Sequence, residues 1–213
     1  ECVHIDDFPI STQYIPTSML RVPLDKKLVT AGSIEASITK VLKSEYTEAD
    51  REKVIEQFIR IRIKHDFCFW AAFYVYIKQK GGGEDILFRL NRPQRRLVER
   101  FERRRLAGEP IRVILLKARQ WGGSTVTQIY MAWLQLVHQT GLNSLIVGHV
   151  KDASTEVKDM FDRMIKKYPT WILYNLGEQY NENEPKLVGV GGMQNIQRIP
   201  QRNCKIKIGT AES

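Results

Sequence analysis

Apolar positions recur along this chain at two different spacings, and the change from one spacing to the other predicts the elements. Thr47-Glu48-Ala49-Asp50 has the form of a capping box with Asp in its last place, and it opens a helix with Val54, Ile55, Phe58, Ile59 and Ile61 inward. His65-Asp66 interrupts that helix. Phe67 to Tyr74 begins a second one, apolar nearly all round, which Gly81-Gly82-Gly83 ends. Asn91 or Arg92 caps a third, with Pro93 in its first turn, Leu97, Val98 and Phe101 inward, and Gln94 on the same face. Ile111 to Leu116 then runs apolar as a buried strand does, and a turn closing on Gly122-Gly123-Ser124-Thr125 leads into the helical stretch Val126 to His138.

Beyond the turn at Gly141-Leu142-Asn143, the run Ser144 to Gly148 predicts a central parallel strand. Asp152 is expected to cap an amphipathic helix carrying Ala153, Val157, Met160, Phe161, Met164, Ile165 and Tyr168, which Pro169 ends. Lys186 to Val190 and Cys204 to Ile208 read as strands. Strand, helix, strand, helix predicts an α/β fold, a mostly parallel sheet flanked by helices. The triple glycine is the clearest internal boundary. It divides an extended arm over 1–46, with Pro9, Pro16 and Pro23, and a small helical subdomain over 47–83 from a core over 84–213.

Composition changes this picture little. The 213 residues can bury one substantial core. A formal charge of +9 fits a polyanionic partner, though many basic proteins have none. Cys2, Cys68 and Cys204 stand far apart and form no CxxC pair, so neither a disulfide framework nor a zinc site is indicated, and a reducing setting fits. His4, His65, His138 and His149 lack ligand spacing. The longest apolar run, Phe67 to Ile77, is about half of a bilayer span, so no membrane partner is expected.

The chemistry is expected where the apolar run meets the glycines. A strand, a Gly-bearing turn and a helix opening on Ser/Thr bind phosphate, because first-turn N–H groups and the helix dipole point into the turn. Aligned with GxxxxGK[ST], the stretch Lys117 to Thr125 places Gly122 at the second glycine, Gly123 where Lys is usual, and Ser124 at the magnesium-binding hydroxyl. Lys117 falls on the first glycine. Lys117 or Arg119 would then supply the displaced cation, Arg119 having the planar fork that suits two phosphate oxygens.

This loop, KARQWGGST, resembles that of the large terminase subunit, the DNA-packaging motor ATPase of tailed bacteriophages. Arg92-Pro93-Gln94 looks like that family's adenine-recognition element, the stretch from Asp66 to Lys80 like its lid, and Lys205 to Ala211 like the strand preceding its Walker B segment. The resemblance covers roughly residues 60 to 213. It implies a P-loop NTPase-like core with ATP and magnesium as cofactors. Ser124 would be the magnesium ligand, and Arg119 and Lys117 the catalytic cations. Asn91, Gln94, Gln120, Trp121, Gly122, Gly123 and Thr125 would complete the nucleotide site, with the Gln94 amide on the adenine edge.

The implied partners are double-stranded DNA, the portal protein, the small terminase subunit and further copies in a ring on the procapsid, the chain being a monomer in isolation as the alternative to the ring. The implied location is the host cytoplasm. Because Glu212 follows alternating residues instead of an apolar run, it reads as structural. The ATPase core is therefore expected to be incomplete, stopping before the Walker B carboxylates, and to hydrolyse ATP poorly alone. Two other readings stay open: a related P-loop helicase or translocase, and a basic nucleic-acid-binding module with a vestigial loop. The arginine face over 92–105 fits DNA, a neighbouring subunit or water.

Overall fold

The structure is a computed structural model that describes residues 46–79, 81–116, 120–191 and 193–211, with Ala36, Ile38, Thr39 and Leu42. Its bounded helices are α1 (Glu48–His65), α2 (Phe67–Tyr74), α3 (Arg92–Leu106), α4 (Gly123–Trp133) and α5 (Lys151–Lys167). The strands are β1 (Tyr76–Ile77), β2 (Ile86–Leu87), β3 (Asn143–Gly148), β4 (Val188–Val190), β5 (Met193–Ile199) and β6 (Cys204–Thr210). The chain is thus a mixed α/β protein. No helix among the described residues is long and apolar enough to cross a membrane.

Local chemistry accounts for the helix ends. The Thr47 side chain accepts from the Asp50 N–H while the Asp50 carboxylate accepts from the Thr47 N–H, so Asp completes the capping box as Glu would. Asp66 stops α1 and caps α2, accepting from the Phe69 N–H at 2.9 Å. The second helix is shorter than its composition predicts. It ends at Tyr74, because Tyr76-Ile77 pairs antiparallel with Ile86-Leu87 and the glycines form the hairpin loop instead of a helix stop. Asp152 lies in the first turn of α5 and is not its cap; Val150 is. The extended reading of 1–46 fails at Ala36, Ile38, Thr39 and Leu42, which are helical, with Ile38 and Leu42 four apart and Ile38 fully buried. Other residues of 1–46, apart from Tyr46, lie outside the described set.

One aromatic cluster joins these pieces. Phe67 lies 5.3 Å from Tyr130 and 5.4 Å from Trp133, centroid to centroid. Two rings find partners for their buried N–H groups: Trp70 donates to the Tyr168 hydroxyl at 2.8 Å, and Trp133 to the Ile63 carbonyl at 2.9 Å. Helices α3 and α4 are tied by Glu102, which accepts from Tyr130 at 2.5 Å and from both ends of the Arg105 fork at 2.7 and 2.8 Å. Past Trp133 the chain widens into a π-turn, Leu134–His138, that aims Gln135 into the sheet. Its amide donates to the carbonyls of Leu142 and Lys205 at 2.8 and 3.3 Å, which fixes the start of two strands together. Cys204 is free and buried, whereas Cys68 is disulfide-bonded, a correction to the expected unpaired thiols.

The main sheet has the order β3-β6-β5-β4. It is mixed, not mostly parallel: β3 and β6 run parallel, while β5 pairs antiparallel with both β6 and β4. The cause is the tight connection Pro200–Arg202, which folds β5 back on β6 as a hairpin. The run Ser144 to Gly148 is an edge strand and not a central one. Leu145 and Val147 are more than half exposed on its outer face.

The largest departure is at Ile111 to Leu116, which was expected to open the sheet. It has no regular secondary structure and pairs with no described strand, and Ile114 and Leu116 are fully exposed. Both edges of β6 are taken by β3 and β5, so this apolar run has no ladder partner there.

Candidate functional site

The residues of the predicted site that the structure describes do gather, at the N-termini of α3 and α4. Asn91 caps α3 by accepting from the Gln94 N–H at 3.0 Å, and Gln94 Oε1 returns the bond by accepting from the Asn91 N–H at 2.9 Å. The two amide nitrogens left over from this box reach across to the turn before α4. Asn91 Nδ2 donates to the Trp121 carbonyl at 3.1 Å. Gln94 Nε2 donates to the Gly122 carbonyl at 3.1 Å and, more weakly, to Trp121 at 3.4 Å. Gln94 is only 4% exposed, so these bonds form largely out of water and hold the turn firmly against α3.

Gly122 is the cap residue of α4 and sits in the left-handed region at φ 78°. A Cβ there would lie 2.5 Å from Gln94 Nε2. Glycine is therefore required twice at this position, by its own backbone and by the close approach of the Gln94 amide. Gln120 also takes a positive φ, 64°, which makes the turn sharp on both sides of Trp121. Trp121 is half-buried against the core.

Among the described residues no side chain caps α4. The Val126 N–H reaches the Gly122 carbonyl, and the amides before it have no acceptor within the helix. Ser124 is exposed, Thr125 half-buried, and neither hydroxyl bonds to another described residue; Thr127 instead turns back to the Gly123 carbonyl at 2.9 Å. Among the described residues the end of α4 thus presents N–H donors without an acceptor, the positive end of a dipole and a hydroxyl without a partner in the first turn. That set of groups suits an anion, and the Ser124 hydroxyl is an oxygen that could ligate a metal accompanying it. Lys117 and Arg119 lie outside the described residues, as does Glu212.

A second uncapped N-terminus belongs to α5, just beyond the end of the parallel β3. It is packed tightly against the sheet: Ser154 donates to the Gly209 carbonyl at 2.8 Å, and a Cβ on Gly148 would come within 2.6 Å of the Ser154 hydroxyl. Those two residues hold the sheet to the helix. Sequence reading also passed over Arg112, which begins the exposed run and faces the arginines of α3 across a cleft. Its only sequence signal is a cation at the head of an apolar stretch.

The described residues hold no group of three or more His, Cys, Asp or Glu placed to bind a metal ion by themselves. Comparison with protein-family models gives no match, and comparison with curated proteins gives none either.

Proposed function

We propose that the turn from Gln120 to Thr125 binds the phosphates of a magnesium nucleotide, and that the chain is the ATP-binding part of a terminase-type motor moving double-stranded DNA into a procapsid. The observation that carries the first part is the open end of α4, with its uncapped amides and exposed Ser124 in a turn held from behind by Asn91 and Gln94. Ser124 would ligate magnesium, and the Gly123 to Thr125 amides would face the phosphate oxygens. The positive charge that phosphoryl transfer requires would come from Lys117 or Arg119, retained from the sequence reading. The motor assignment rests on the resemblance of KARQWGGST and its upstream Arg92-Pro93-Gln94 to the terminase family.

A second reading, a basic nucleic-acid-binding module whose turn is vestigial, draws on the unpaired arginines along α3 described below. The two readings separate in a nucleotide titration with and without magnesium. Binding should depend on magnesium and be lost in the double variant Arg119→Ala, Ser124→Ala. Unchanged binding in that variant would overturn the site, and salt-sensitive DNA binding without nucleotide binding would select the second reading.

A further inference from the structure

Between α3 and the exposed run after it lies a cleft of about 820 Å³, lined by Arg96, Glu99, Arg100, Arg103, Arg104, Arg112, Val113 and Ile114. Five arginines face one carboxylate. Arg103 pairs with Glu99 at 3.0 Å and Arg104 with Glu109 at 2.7 Å, both exposed. Arg96, Arg100 and Arg112 are exposed and form no ion pair with a described residue. Arg96 and Arg100 are four apart on α3, so they stand on one side of the helix a turn from each other, and Arg112 comes from the opposite wall.

We infer that this cleft binds the phosphate backbone of a nucleic acid. The kind of cation points there: between Arg89 and Arg112 the chain has nine arginines and no lysine, although it uses lysine freely elsewhere. A face kept only for solubility has no need of that choice, whereas a guanidinium fork matches two phosphate oxygens at once. The walls supply no aromatic ring for stacking on bases and no Asn or Gln for reading their edges. The contact is therefore with backbone and independent of sequence. The inference stands on α3 and Arg112 and uses neither Ser124 nor the turn before it. It deepens the motor reading by naming a face for the polymer, and it fails separately from it.

The test measures binding of a short labelled duplex DNA to the whole chain over roughly 50 to 200 mM salt, for the wild type and for the triple variant Arg96→Gln, Arg100→Gln, Arg112→Gln. Losing three phosphate contacts should lower the slope of log affinity against log salt by about 3 and leave magnesium-nucleotide binding unchanged. The triple Arg→Lys variant should keep the wild-type slope while binding more weakly, since charge is retained and the fork is not. Lys205→Gln with Lys207→Gln, on the exposed face of β6, serves as a control that should not change the slope. Duplex RNA and a second DNA of unrelated sequence should show the same loss of slope. An unchanged slope in the triple Gln variant, a slope loss confined to one DNA sequence, or the same slope loss seen only with polyglutamate would overturn the inference. Nucleotide binding that fails while this slope change persists would instead sink the phosphate turn and leave the cleft standing.

Discussion

Helices α3 and α4 begin side by side, and their first turns are built in opposite ways. At α3 the Asn91–Gln94 box satisfies its own amides, and Pro93 needs no partner. At α4 a left-handed glycine occupies the cap, and no side chain of the described residues caps the first turn. The closed end supports the open one, since the amides left over from the box hold the turn carbonyls. The restraint that a cap would give at α4 is thus supplied from a neighbouring helix, which leaves the first turn open. The opposite end of α4 is locked in the core by Trp133 and the π-turn.

The largest effect expected should leave that contrast intact, because it acts at the locked end. His138 stacks edge-on against Trp133, and His138 Nε2 and His65 Nδ1 are buried without a hydrogen-bond partner among the described residues. Burial, reinforced by the nearby Lys64, Arg105 and Arg202 cations, lowers the histidine pKa values from 6.5 to about 4 for His65 and about 3 for His138. The unfolded chain therefore binds more protons than the folded one below pH 6.5. Stability is complete above that pH and falls as the pH drops toward about 4 and then 3, by several kcal/mol in all. Asp66, whose pKa burial raises, works in the opposite direction. Urea unfolding at a series of pH values should show the fall, and His138→Phe should flatten it. A profile that stays level in the wild type would mean that these histidines are not held neutral.

Gly122→Val strikes the junction between the two helix ends. A β-branched residue at φ 78° is strained, and its Cβ displaces the Gln94 amide from the turn carbonyls. The expected cost is about 2–4 kcal/mol, from left-handed strain together with the lost hydrogen bonds. Nucleotide binding should disappear with it. Denaturant unfolding that matches the wild type would show that Gln94 and Gly122 are not in contact.

Much of this arrangement was legible in the sequence, and the reasons are local. Thr47-Glu48-Ala49-Asp50, Asn91 with Gln94, and the glycines before Ser124 are short patterns whose hydrogen bonds close within one turn of helix. Apart from the cap of α5, which is Val150 and not Asp152, the failures involve partners distant in sequence. Ile111 to Leu116 is as apolar as a buried strand, yet strand character requires a neighbour, and the pattern cannot supply one. By contrast, Cys204 to Thr210 alternates correctly and also has two neighbours, so Ile206 and Ile208 are buried while Lys205 and Lys207 face out. The helix predicted up to Gly81 ended at Tyr74 for the same reason, because Ile86-Leu87 captured the chain on the far side of the glycines. The tie from Gln94 to Gly122 spans 28 residues. Sequence spacing showed that Gln94 faces inward, but not what it would meet.

The smallest effect is the most discriminating. Gln94→Ala removes both halves of the Gln94 role and should cost about 1–3 kcal/mol, the range for emptying a buried hydrogen-bonded position. Gln94→Glu divides them. Its carboxylate can still accept from the Asn91 N–H, so the start of α3 stays closed, but it turns an acceptor toward the Gly122 and Trp121 carbonyls where an N–H₂ had donated. If Gln94 serves by tethering the turn, magnesium-ATP and magnesium-GTP should lose affinity equally in the Glu variant, because both present the same phosphates. If its amide instead reads the adenine edge, the loss should fall on ATP alone, since Glu removes the donor of a donor–acceptor pair that guanine does not offer. The structure commits the amide to the turn, so equal loss is the expected result. A selective loss of ATP would mean that the amide leaves the turn when nucleotide binds, and that the two helix ends are coupled through the ligand and not through Gln94.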